Sequence, residues 1–213
     1  MIKNIVFDLD GTLANSERLI IDSFQHIYKI FKGHTMEESH IKRTFGETLE
    51  NVLKEEFNQD YPIVLKEYRR YHNENFESTM KLYPGAVEII KRLHTHNYTL
   101  GIVTSRIRES TDKVLKMYNI TKYFKCTITA TESEFHKPHP EPLEKCLREL
   151  SAQPHETLFV GDTVYDVECA RNAGVTPVLV GWSKLASMDS DHRPKYVISN
   201  YDDLFSVIND FEK

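Results

Sequence analysis

Apolar residues recur along this chain in two rhythms. Short β-branched runs stand at residues 4–9 (NIVFDL), 99–104 (TLGIVT) and 157–160 (TLFV), with weaker ones at 176–180 (TPVLV) and 196–198. Runs without polar alternation, closed by a loop residue such as Gly11 or Gly161, predict strands buried on both faces. Between them the apolar positions adopt helical spacing: Val114, Leu115 and Tyr118; Leu143, Cys146, Leu147 and Leu150; Leu204, Ile208 and Phe211. Strands alternating with helices predict a parallel sheet covered on both faces.

One stretch breaks the alternation. From about residue 16 to 79 the pattern is helical throughout, with stripes at Ile20, Phe24, Ile27 and Phe31, at Leu49, Val52, Leu53 and Phe57, and at Leu65, Tyr68 and His72. The fold class expected is therefore α/β, with a Rossmann-like parallel-sheet core and a small all-helical domain inserted after the first strand. The boundaries expected are 1–14 and 81–213 for the core and 15–80 for the helical cap, with Pro84–Gly85 marking the return. Two connections, near residues 14–15 and 81–83, would join cap to core and can act as a hinge.

Composition narrows the function. A chain of 213 residues with 40% apolar content can bury roughly 70% of its unfolded surface, as one large domain with an insert. Its 27 basic and 32 acidic residues give a net charge of −5, the wrong sign for tracking a nucleic acid. Cys126, Cys146 and Cys169 are odd in number and form no CxxC, so they read as core thiols of a reducing compartment. No apolar run is long enough for a signal peptide or a membrane span. A cytoplasmic protein, monomer or weak dimer, without a nucleic-acid or membrane partner, is expected.

Ligands of an open α/β sheet bind beyond the carboxyl ends of the strands. Asp8 and Asp10 follow the first strand, and alternation along an extended chain sends both to the same side. Two carboxylates so close repel when ionised, and an oxygen-preferring divalent cation such as Mg²⁺ relieves that. An isolated Asp-Gly is as readily a plain turn. The functional reading gains from Thr104 and Ser105 at the end of a second strand and from Asp162 and Asp166 after a third, four apart and so on one helical face if a helix begins there. Lys137, in a proline-stiffened segment, supplies a positive charge able to hold a phosphate. Arg43 and the Gly46-Glu47 turn lie between insert helices, where a turn is usually a connector but can reach down to the site. Arg69 and Arg70 read as a solvated helix face.

These residues resemble the haloacid dehalogenase-like hydrolase superfamily along essentially the whole chain. Its four motifs stand in order: Asp8-Leu-Asp10-Gly-Thr, Thr104 with Ser105, Lys137 before Pro138, and Gly161-Asp162-Thr-Val-Tyr-Asp166. The resemblance implies that Asp8 is a nucleophile forming an aspartyl-phosphate and that Asp10 is the general acid and base. Thr104, Ser105 and Lys137 would hold phosphoryl oxygens. Mg²⁺ would be bound by the Asp8 carboxylate, the Asp10 main-chain carbonyl and Asp162, with Asp166 helping through water or by orienting Lys137. Asp10 argues for turnover, because the resemblance implies that dehalogenases lack this second Asp and P-type ATPases carry Thr there. The helical cap and the Phe45-Gly46 turn look closest to the phosphoglycolate phosphatases and bacterial inorganic pyrophosphatases of the superfamily. A small phosphorylated metabolite or pyrophosphate is the substrate this implies. Asn15 departs from the pattern, standing where many relatives have Asp. A phosphomutase of the β-phosphoglucomutase type and a non-catalytic phosphometabolite-binding module are the alternatives.

Overall fold

A computed structural model describes residues 1–183 and 193–212, so 184–192 and 213 of the expected core lie outside the described residues. The chain runs β1 (Asn4–Phe7), β2 (Ala14–Asn15), α1 (Glu17–Phe31), α2 (Glu38–Arg43), α3 (Leu49–Phe57), α4 (Tyr61–Thr79), β3 (Lys81–Leu82) and α5 (Ala86–Thr95). It continues through β4 (Thr99–Val103), α6 (Arg108–Met117), β5 (Phe124–Ile128), α7 (Glu141–Leu150), β6 (Thr157–Gly161), α8 (Val164–Asn172), β7 (Thr176–Val180), β8 (Tyr196–Ile198) and α9 (Asp203–Asn209).

Six strands form one sheet in the order β5-β4-β1-β6-β7-β8, every pair parallel. β1 lies at its centre and is buried throughout, which is why it reads as an unbroken apolar run. Its alternating side chains feed two layers. Ile5 and Phe7 join a core with Ile89, Ile90 and Leu93 of α5 and Leu204 and Ile208 of α9, whereas Val6 joins Leu143, Cys146 and Leu147 of α7 and Ala170 of α8. Full burial of each large apolar side chain contributes about 1.5–3 kcal/mol, so this three-layer arrangement fixes where β1 ends. The strand order turns back between β1 and β6, and a crevice opens there beyond the strand ends.

Helices α1 to α4 pack around a cluster of their own, built on Phe24, Ile27, Tyr28, Leu53, Val64 and Tyr68. Leu19 at the start of α1 and Phe76 near the end of α4 belong instead to the sheet's core and anchor the insert at its base. The way in and the way out form a two-stranded ribbon, with Ala14 opposite Leu82 and Asn15 opposite Lys81. No helix among the described residues is long and apolar enough to cross a membrane.

Candidate active site

The loops after β1, β4 and β6 meet at one end of the sheet, around a cavity of about 470 Å³ roofed by α1, α3 and α4. Asp8 directly follows β1, where its amide still donates to Val160 O in the neighbouring strand at 2.8 Å. Its carboxylate accepts from Lys137 Nζ at 2.6 Å, and the same ammonium reaches Asp166 Oδ1, also at 2.6 Å. Asp8, Asp166 and Lys137 are all buried.

Asp166 positions the lysine because its other oxygen is tied down. Oδ2 accepts from Thr163 N at 3.0 Å and Thr163 Oγ1 at 2.7 Å, closing a capping box at the start of α8. Asp162 was expected to share a helical face with Asp166. It instead precedes the Thr163 N-cap, at the end of β6, and its Oδ2 accepts from Ser183 Oγ at 2.8 Å. The two acids still meet, because the turn between them folds back on itself. Gly11, at φ +79°, makes room for Asp162, since a methyl there would stand 2.0 Å from its Oδ2, and Gly161 does the same for Asp166, whose Cβ a methyl would meet at 2.3 Å.

One oxygen from each of Asp8, Asp162 and Asp166 lies within 4.8 Å of the others. Three buried carboxylates around one lysine carry more acid than that lysine neutralises. Burial, with Asp166 adding to it, pushes Asp8 up to about 7 against the pull of Lys137. Burial and the charges of Asp166 and Asp8 likewise lift Asp162 well above the usual carboxylate range. For Lys137, burial opposes the charge, yet Asp166 and Asp8 hold it above the ordinary lysine range. An all-oxygen donor set with surplus negative charge fits a hard divalent cation.

Asp10 goes its own way. Sequence alternation brings its carboxylate beside that of Asp8, but β1 ends at Phe7 and alternation stops with it. The Asp10 carboxylate stands outside the three-acid cluster and is gripped by Arg106, which donates from Nε at 2.9 Å and from Nη2 at 2.7 Å. Burial opposes ionisation of Asp10, and the charge and fork of Arg106 outweigh it, holding the carboxyl below its usual range. Arg106 escaped the sequence reading, since no local pattern separates it from a surface arginine. Its backbone is pinned by a bond from its N–H to Thr104 Oγ1 at 3.2 Å and another from Ala130 N to its carbonyl at 3.0 Å.

The other candidates divide. Thr104 is buried at the end of β4 and lines the cavity. Ser105 lines it too, with its hydroxyl donating across to Gly46 O in the insert at 2.8 Å. Gly46 and Glu47 do reach the site: Tyr165 Oη donates to Glu47 Oε1 at 3.1 Å, and Gly46, at φ +95°, sits so close that a methyl would meet Tyr165 Cδ2 at 2.5 Å. Arg43 does not. It ends α2 on an exposed face, outside the cavity lining, because the descending turn begins only after it. Arg69 keeps a side chain 41% exposed, as expected, and lines the cavity as well, whereas Arg70 is engaged outside it by Glu67 and Glu74.

A buried acid–lysine centre at the carboxyl edge of a parallel sheet, beneath a helical insert, defines an α/β enzyme that works on an anionic group with a carboxylate at its heart. The chain belongs to the haloacid dehalogenase-like hydrolase family, whose model matches residues 5–180. It is 32% identical to the pyrophosphatase PpaX of Anoxybacillus flavithermus, over 97% of either chain. Identity to the pyrophosphatase PpaX of Bacillus mycoides is 31%, over 98% of this chain and 97% of that one. Among solved structures it is similar to a subfamily IA hydrolase of the superfamily from Geobacter sulfurreducens, with TM-score 0.73 and 25% identity over 97% of this chain and 96% of that one. A Haemophilus somnus protein described as a predicted phosphoglycolate phosphatase shares the fold, with TM-score 0.87 and 22% identity over 97% of this chain and 98% of that one.

Proposed function

We propose that the protein is a Mg²⁺-dependent phosphohydrolase that cleaves a small phosphate ester or anhydride through an aspartyl-phosphate on Asp8. The observation that carries this reading is the placement of Asp8: buried at the end of β1, 2.6 Å from Lys137, and facing the cavity. An oxygen of Asp8 attacks phosphorus, and the bond to the leaving oxygen breaks with its electron pair. Asp10, protonated in the substrate complex although Arg106 holds it ionised in the free site, gives that oxygen its proton, then takes one from the water that attacks the acyl phosphate, so that inorganic phosphate leaves, Asp8 is a carboxylate again and Asp10 again carries a proton. Thr104, Lys137 and the main-chain N–H of Ser105, whose hydroxyl is spent on Gly46, hold the phosphoryl oxygens, and Asp166 keeps Lys137 aimed at them. Asp8, Asp162 and the main chain at Asp10 would hold Mg²⁺, whose charge would offset the repulsion between carboxylate and phosphate.

In this reading residues 15–80 are a cap over a core of 1–14 and 81–213, and the Ser105–Gly46 and Tyr165–Glu47 bonds draw the two together. A closed cap limits the substrate to a small phosphorylated metabolite or pyrophosphate. Three buried free thiols fit a cytoplasmic setting.

Phosphate release with Mg²⁺ over pyrophosphate, phosphoglycolate, sugar phosphates and nucleotides tests the proposal. Asp8→Asn is expected to abolish turnover of every substrate cleaved by the wild type, and Asp10→Asn to slow both half-reactions while Mg²⁺ binding persists. Near-wild-type rates in Asp8→Asn would refute the nucleophile.

A further inference from the structure

The cavity extends past the phosphoryl site to a wall that the reaction so far leaves unused. Arg106 stands there, its side chain 7% exposed. Its guanidinium spends Nε and one Nη2 hydrogen on Asp10 and one Nη1 hydrogen on Ser110, so three of its five N–H groups are engaged among the described residues. The same cavity is lined from α4 by Arg69, whose Nη2 donates to Glu50 at 3.2 Å and whose buried Nε has no hydrogen-bond partner among the described residues. Tyr68 and His72 of the same helix and Phe24 of α1 share the cavity's roof with Glu17, Glu50 and Lys54. A buried guanidinium beside a general acid sits where the departing half of the substrate must lie, since Asp10 has to touch the leaving oxygen.

We propose that Arg106, assisted by Arg69, is the specificity-determining residue of this site, binding an anionic group on the leaving half of the substrate. The inference rests on the phosphohydrolase reading and narrows it. The preferred substrates have a second phosphate or a carboxylate next to the scissile bond, as in pyrophosphate or phosphoglycolate. Phosphomonoesters of uncharged alcohols are turned over poorly. The planar fork suits both oxyanions, which a point charge serves less well.

The test compares kcat and KM of wild type, Arg106→Gln, Arg106→Lys and Arg69→Gln on pyrophosphate, phosphoglycolate, p-nitrophenyl phosphate and glycerol 2-phosphate with Mg²⁺. Loss of a charge-assisted contact is expected to lower kcat/KM of Arg106→Gln on the two substrates with a second anionic group by about 30-fold more than on the two without one. Arg106→Lys recovers part of the difference, and Arg69→Gln raises KM for pyrophosphate and phosphoglycolate alone. The relative losses on pyrophosphate and phosphoglycolate tell whether phosphate or carboxylate is the anion preferred. Equal losses on all four substrates would overturn the proposal, because Arg106 would then act only by positioning Asp10. Should Arg106→Gln fail to fold, unchanged KM values in Arg69→Gln together with wild-type preference for p-nitrophenyl phosphate and glycerol 2-phosphate would overturn it as well. Turnover that survives Asp8→Asn would instead strike the phosphohydrolase mechanism itself.

Discussion

Arg106 holds both carboxylate oxygens of Asp10, at 2.7 and 2.9 Å, across 96 residues of sequence. The two acids of the first motif thus have separate cations, Lys137 for Asp8 and Arg106 for Asp10.

Removing one member of a buried pair strands the other. Asp10→Asn keeps the shape but leaves Arg106 without its counter-charge, and a loss on the order of 2 kcal/mol in unfolding free energy is expected by denaturant titration. In a double-mutant cycle with Arg106→Gln the two losses should be clearly less than additive. Strict additivity would mean that the fork contributes nothing.

The acid cluster sets a pH dependence whose sign follows from its raised carboxyls. Folded Asp8 titrates at about 7 and Asp162 well above 3.8, both higher than in the unfolded chain. Their contribution favours folding at low pH and is lost as pH climbs from about 4 through about 7. A divalent cation takes over where the protons leave. Mg²⁺ should therefore raise the melting temperature more at pH 8 than at pH 5, and Asp162→Asn should remove most of that difference. An equal Mg²⁺ response at both pH values would contradict this account.

His72 acts in the opposite sense over an overlapping window. Burial, reinforced by Arg106 and Lys113 and opposed by Asp10 and Asn73, lowers it to about 4 from 6.5. The unfolded chain takes up that proton first, so the contribution of His72 is complete above pH 6.5 and is lost as pH falls towards 4. His72→Phe should remove a rise in melting temperature with pH between those values, leaving the fall due to Asp8 and Asp162, and the difference from wild type isolates this group from them. An unchanged slope would show that the imidazole is not held neutral.

Gly46 brings the insert against Tyr165 of the sheet domain. Alanine there would combine a left-handed backbone with a contact of 2.5 Å to Tyr165. Gly46→Ala is expected to raise KM several-fold, and a Tyr165→Ala second change to recover only the steric part. Wild-type KM in the single variant would mean that this turn does not govern access.

Much of the architecture was open to a reader of the sequence for a physical reason. β1, β4 and β6 are flanked on both sides in the sheet, so their sequences are apolar without alternation. β5 lies at the sheet's edge, with Phe124, Lys125 and Thr127 partly or fully exposed, and its FKCTI pattern gives no such signal. The site divides the same way. Asp8, Lys137, Asp162 and Asp166 announce themselves by their place after strands or among prolines. Arg106, Ser183 and Arg69 matter only through partners far along the chain, and Arg43 shows that a basic residue near a turn need not follow that turn inward.

The short ribbon pairing Ala14 with Leu82 and Asn15 with Lys81 makes the two ends of the insert next-door neighbours. A loop of almost any length can be hung from such a stem without moving the strands beneath it. Bond-breaking and the choice of molecule are thereby lodged in separate stretches of polypeptide, and one can be rewritten by mutation while the other stays as it is.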